Sequence, residues 1–253
     1  MPETLRDFQR ADVRVWMLTG DKLETAIEVS KSCSLIASNY EVLECRPGPR
    51  LVREFLQEWE GAVQGNPTAK YSLVIEGARL AEIIQDCECA RQFAQLSQSF
   101  VSVICCRLLP IQKAHVVRLI KEQLGKVCLA IGDGGNDVSM IREAHIGVGL
   151  YGEEGMSAVQ ASDYAIPEFR MIWRLMFVHG RWNYMRISEL ILYFTYKSIQ
   201  FTVPRIIFTF YNGFSGQPIY DDFYMSLYNV LFTSVPLLVR ALFEQDVNYI
   251  TSE

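Results

Sequence analysis

None of the seven cysteines stands in a CxxC pair, so the spacing of a zinc site is missing. The adjacent Cys105 and Cys106 and the near pair Cys87 and Cys89 read instead as reduced, buried thiols of a cytosolic domain. A dense basic block is also lacking. The net charge is −5, the arginines between Arg170 and Arg186 are scattered, and nucleic acid is not an expected partner. The opening MPETLRDFQR leads into no apolar core, which argues against a signal peptide, and no internal repeat is visible. What the chain does have is apolar mass: 253 residues, half of them hydrophobic, suffice for one or two domains with a sizeable core.

Up to about residue 168, short apolar runs alternate with helix-period segments, which implies an α/β unit with a parallel sheet covered by helices. Strands are expected at Val13–Leu18, Tyr71–Ile75, Phe100–Cys106, Val127–Ile131 and Ile146–Leu150. Helices are expected to begin near Lys22, Gly77, Pro110 and Asn136, with Pro110 suited to a first helical turn. RPGPR at Arg46–Arg50 reads as a turn and GAVQGNPTAK at Gly61–Lys70 as a polar connection.

Composition changes after Phe169. Two apolar, aromatic-rich stretches, at about 189–211 and 223–243, are each about long enough to cross a bilayer as a helix. Trp182, Tyr184, Tyr211 and Tyr220 flank them as interfacial anchors do. Arg170, Arg174, Arg181 and Arg186 precede the first stretch, whereas the connector holds Asp221, Asp222 and no base. The positive-inside rule then makes both termini cytoplasmic. A pair of buried helices in a soluble protein is the competing reading.

Three loops at expected strand ends carry chemistry. MLTGDK places Thr19, Gly20 and Asp21 before a helix, where a hydroxyl and backbone N–H groups can cradle phosphate oxygens. CRLLPIQK supplies Arg107 and Lys113 to neutralise phosphate charge. CLAIGDGGNDVSMI supplies Asp133 as a magnesium ligand, Asn136 as a donor, and Asp137 to hold the lysine or a metal-bound water. Read singly, the last loop also fits a glycine-rich turn with capping aspartates.

Jointly, these motifs resemble the P-type ATPases among the haloacid-dehalogenase-like phosphotransferases. LTGDKLETA, GDGGNDVSMI, EEGMSAVQASDYAIPEFR, ILYFTYK, NGFSGQ and SLYNVLFTS resemble the phospholipid-transporting branch, the lipid flippases. The resemblance implies that residues 1–168 are the C-terminal part of a Rossmann-type phosphorylation domain and that 169–253 begin a membrane domain. It implies ATP and Mg²⁺ as cofactors, and a cycle through an aspartyl-phosphate that moves phospholipid from the outer to the cytoplasmic leaflet. An accessory glycoprotein beta-subunit is the implied partner. Thr19, Gly20, Asp21, Arg107, Lys113, Asn136 and Asp137 match positions that contact ATP or the transferred phosphoryl group, and Asp133 and Asp137 match magnesium positions. Thr19, Lys113, Asp133, Asn136 and Asp137 are the implied catalytic set. The family's DKTGT nucleophile motif and DGET-like loop are not in this sequence, so a partial chain without turnover of its own is expected; a non-catalytic short isoform is the alternative.

The transported species can be approached from the residues themselves. The central parts of the two stretches hold no Asp, Glu or Cys, which disfavours a cation pump. Lys197, Phe201 and Arg205 recur at four-residue steps, and Ser226, Asn229, Thr233, Pro236 and Arg240 fall on one stripe. An intramembrane base should face protein or water, so Lys197 and Asn229 are expected on facing surfaces beside a head-group path. A lysine that merely ties helices together is the other reading. The chain departs from the family's usual pattern at Ser198, Arg205 and Arg240.

Overall fold

The computed structural model describes residues 2–152 and 155–244. Glu153 and Glu154 of the EEGMSAVQ stretch and the tail 245–253 lie outside the described residues. The chain forms two compact units, Met1–Ile172 and Trp173–Glu253.

The first unit begins α1 (Pro2–Arg10), β1 (Val15–Leu18), α2 (Leu23–Ser32), β2 (Glu41–Cys45), α3 (Val52–Gly65), β3 (Tyr71–Glu76), α4 (Gly77–Gln85), α5 (Cys87–Ser97) and β4 (Ser102–Cys106). It continues α6 (Pro110–Leu124), β5 (Leu129–Gly132), a 3-10 turn (Gly135–Asp137), α7 (Val138–Glu143), β6 (Ile146–Leu150), α8 (Ser157–Ala161) and β7 (Tyr164–Ile166). The expected parallel arrangement is present, but as two sheets, one ordered β1-β4-β3-β2 and the other β5-β6-β7.

Strand β4, SVICC, is buried along its whole length, and so is β3 up to its terminal Glu76, because helices cover both faces of a parallel sheet. The two polar intruders are satisfied: the Ser72 and Ser102 hydroxyls meet at 3.0 Å and Ser102 also donates to the Leu35 carbonyl. Pro110 does open α6, and Gly125 closes it in the left-handed region at φ 59°. Four of the seven cysteines, Cys45, Cys89, Cys105 and Cys106, are buried, and all seven are free thiols.

Leu18 packs against both the large core cluster and the small one formed by Val117, Ala130 and Met140. Strand β1 is therefore the seam between the sheets, joined to β4 by a backbone ladder and to the second sheet by side chains.

Two expectations are corrected and one strand is added. GAVQGNPTAK is no simple connection, since α3 runs to Gly65 and packs Phe55, Leu56 and Trp59 inward. Strand β2 was not anticipated, because EVLEC is charged and half-exposed as a sheet-edge strand is. Val127 stands outside β5 and is 78% exposed.

After the short α9 (Met171–Trp173), the second unit holds a π-helical stretch (Arg174–Gly180), α10 (Arg181–Tyr211), α11 (Asp222–Leu227), a π turn (Tyr228–Phe232) and α12 (Ser234–Phe243). Among the described residues one helix is long and apolar enough to cross a membrane: the continuous run Asp222–Phe243, with mean hydropathy 1.4 over its best window. The first expected span lies within α10, whose 31 residues reach roughly 46 Å. Length is ample there, but Arg186, Glu189, Lys197 and Arg205 dilute its apolarity.

Candidate functional site at the carboxyl ends of the strands

Parallel pairing brings the ends of β1, β4 and β3 to one edge of the first sheet. There the chain passes directly into Thr19, Arg107 and Gly77. The loops after β1 and β4 are zipped together: the Arg107 N–H donates to the Asp21 carbonyl at 2.9 Å and the Leu108 N–H to the Thr19 carbonyl at 3.0 Å. Arg107 adopts a left-handed conformation, φ 53°, which turns the chain from strand to helix.

The Thr19 backbone N–H, expected to face a phosphate, is instead committed to the Cys105 carbonyl at 2.9 Å, because it continues the β1–β4 ladder by one rung. The Thr19 hydroxyl donates to Asp21 Oδ2 at 2.8 Å and accepts from the Asp21 N–H, a closed local turn. Gly20 and Asp21 stand exposed at the rim.

The second sheet's contribution follows β5. Asp137 Oδ1 accepts from Lys113 Nζ at 2.7 Å, with the side chains only 13% and 11% exposed. This contact sets the carboxyl end of β5 beside the first turns of α6, and the Ser139 hydroxyl, donating to the Pro110 carbonyl at 2.9 Å, fastens the same place. At the far end of the α6–α7 pair, Glu143 takes Arg118 at 2.8 Å and Lys121 through both its carbonyl and its carboxylate. The hydrogen-bonded Arg118 guanidinium holds the Glu143 carboxyl below its ordinary value.

Gly132 is what lets Asp137 fold back. A Cβ there would lie 2.3 Å from the Asp137 Cβ. Asp133 is exposed, and neither it nor Asn136 makes a side-chain hydrogen bond or ion pair among the described residues. The loop thus presents one free carboxylate, one amide and one carboxylate already held by a lysine. No group of three or more His, Cys, Asp or Glu side chains suited to a metal ion occurs among the described residues. For a magnesium ion these groups fit as a partial oxygen shell led by Asp133.

Sequence reasoning missed Glu76 and Gly77. Glu76 ends β3 in register with Cys106, and its carboxylate stands 3.7 Å from Arg107 Nε. The signal available was position: an acid and a glycine at the exit of a largely apolar, buried strand, beside two loops already singled out.

In the second unit, Lys197 Nζ reaches Thr233 Oγ1 at 3.2 Å and lies 5.2 Å from the Phe194 ring centroid. Thr233 is buried and bonds back to the Tyr228 and Asn229 carbonyls. The lysine therefore meets Thr233, while Asn229 stays exposed and contributes its carbonyl. Phe201 stacks on Tyr228 with centroids 5.0 Å apart, and Arg205 covers the other partner of that face, Phe201 itself, at 5.1 Å. Arg240 makes a two-pronged pair with Glu189, 2.8 and 3.0 Å, along a groove of about 420 Å³ that Tyr193, Pro236 and Leu237 also line.

The strand-end loops of a parallel α/β unit thus precede, among the described residues, one helix long and apolar enough to cross a membrane. Residues 159–253 match the family model for the phospholipid-translocating P-type ATPase C-terminal region. Probable phospholipid-transporting ATPase 5 of Arabidopsis thaliana is 44% identical over 98% of this chain and 21% of its own length. Phospholipid-transporting ATPase ID is 40% identical in Mus musculus and in Homo sapiens, over 98% of this chain and 23% of each relative. The chain is similar over nearly its whole length to a segment of phospholipid-transporting P-type ATPases. It spans between a fifth and a quarter of the length of these relatives.

Proposed function

We propose that this chain is the phosphoryl-handling and membrane-entry portion of an ATP-driven phospholipid transporter, and that its first unit is a haloacid-dehalogenase-like phosphorylation domain. The buried Lys113–Asp137 pair, standing beside the free Asp133, carries the reading. In a site facing the γ-phosphate of ATP, Lys113 and Arg107 supply positive charge where phosphoryl oxygens gather it, and Asp137 keeps Lys113 in place. Thr19, Gly20, Asp21 and Asn136 line the same rim as donors and spacers. Asp133, with the uncommitted oxygen of Asp137, would hold Mg²⁺, whose charge neutralises those oxygens when bound. The phosphorylated aspartate and its DKTGT motif are not in this chain, so an aspartyl-phosphate cycle needs a segment this sequence does not contain.

Lipid passage from the outer to the cytoplasmic leaflet is assigned to the second unit, with the first unit cytoplasmic and Lys197 beside the path. The Thr233 contact makes Lys197 a partner already held between helices, ready to exchange that hydroxyl for a head-group oxygen. The resemblance extends the proposal to an accessory glycoprotein beta-subunit.

The test replaces the matching segment of Phospholipid-transporting ATPase 6 of Arabidopsis thaliana, 43% identical, with this chain and follows phospholipid uptake and ATP hydrolysis. Asp133→Asn and Lys113→Ala should each abolish turnover, whereas Lys197→Ala should leave phosphorylation from ATP intact and depress lipid-stimulated hydrolysis. Turnover that survives the first two substitutions overturns the phosphate-site assignment.

A further inference from the structure

At the exit of β3, Glu76 and Gly77 press directly on the turn that carries Arg107. A Cβ at Gly77 would stand 2.7 Å from the Arg107 carbonyl and 3.0 Å from Gln112 Oε1, so the two turns touch backbone to backbone. Gln112 rivets them: its amide nitrogen donates to the Gly77 carbonyl at 3.1 Å while its oxygen accepts the Leu109 N–H at 2.8 Å. The Arg107 main chain is fixed on its other side by the Asp21 carbonyl. Only the long side chain is left to be placed.

That side chain is 52% exposed and makes no hydrogen bond among the described residues, yet its Nε faces a Glu76 carboxylate that is 13% exposed. A carboxylate beside the Nε edge restrains the guanidinium and leaves open its outer edge, where the two terminal nitrogens can fork onto phosphate oxygens. An exposed arginine without such a partner spends its rotamer freedom on binding; a held one does not.

We propose that Glu76 is a positioning residue of the phosphate site, aiming the Arg107 fork at phosphoryl oxygens of the bound nucleotide, with Gly77 as the contact that makes the approach possible. The inference rests on the phosphate-site reading above, and the two can fail separately.

The experiment measures binding of magnesium ATP by calorimetry to the purified chain in detergent, for the wild type, Glu76→Gln, Arg107→Ala, the double variant, and Lys113→Ala. Circular dichroism confirms that each is folded. Glu76→Gln keeps the shape of the side chain and removes its charge, and should weaken binding about two- to fivefold, the size of a partly exposed ion pair. In the Arg107→Ala background the same change should have no effect, a result that a merely structural glutamate would not give. If Lys113→Ala and Arg107→Ala weaken binding while Glu76→Gln does not, or if Glu76→Gln costs equally with and without Arg107, the positioning role is overturned and the site assignment stands. If neither Lys113→Ala nor Arg107→Ala alters binding, both readings fall.

Discussion

Lys113 and Asp137, 24 residues apart in sequence, meet at 2.7 Å inside the protein and tie the first turns of α6 to the loop after β5. Removing one partner strands the other. Asp137→Ala should therefore cost about 3 kcal/mol of unfolding free energy, whereas Asp137→Ala combined with Lys113→Met should recover most of it, because no charge is then left buried. Denaturant unfolding of the three chains checks this.

Gly132 owes its identity to the Asp137 Cβ. Gly132→Ala should destabilise by about 1–3 kcal/mol through overpacking. The penalty should persist in an Asp137→Ala background, where a Cβ is still present 2.3 Å away, and vanish in Asp137→Gly. A cost that survives in Asp137→Gly would point to strain elsewhere in the turn.

Asp86 caps α5 by accepting the Glu88 N–H, and its carboxyl is held down to about 2, first by the hydrogen-bonded Arg53 guanidinium and then by Cys89. Because the folded value lies below the unfolded one, the contribution to stability is complete above about pH 4 and is lost as pH falls from there toward 2. The stability gap between wild type and Asp86→Asn should thus shrink between about pH 4 and pH 2. Thermal melts across that range supply the measurement.

Burial pushes the Cys45 thiol up to about 12 and Cys106 to about 11, and raises Cys105 as well. These groups resist ionisation in the folded state, so alkylation of the native protein at pH 8 should begin at the exposed Cys87, with Cys45, Cys105 and Cys106 reacting on unfolding. Their raised values also make stability fall as pH climbs past about 8.5, where the unfolded thiols start to lose protons. Mass spectrometry of peptides labelled before and after denaturation reads the order directly.

Part of the arrangement was legible because these loops follow apolar runs: TGD stands after β1 and GDGGND after β5, while β3, β4 and β6 announce themselves as strands with buried centres. Less visible was how polar groups divide their bonds. That the Thr19 N–H is taken by Cys105 depends on the register of a parallel pair, which no local pattern encodes. Glu76 was missed because its role is set by a neighbour 31 residues away in sequence, brought near by the β3–β4 register. Lys197 meets Thr233 and not Asn229 because the turn Tyr228–Phe232 is a π turn, and a period of 3.6 misjudges which side chains share a face across it.

The seam at β1 distributes the proposed phosphate site between two sheets. Thr19, Arg107 and Glu76 belong to one, Asp133 and Asp137 to the other, and side-chain packing around Leu18 joins them where a backbone ladder would be stiffer. A ligand gripped from both sides is then linked to closure of that seam: by mass action it raises the population of the joined state, and the second sheet's local unfolding free energy rises with ligand concentration. Amide hydrogen exchange in β5, β6 and β7 is accordingly a titratable readout of occupancy, more sensitive there than in the continuous core of β3 and β4.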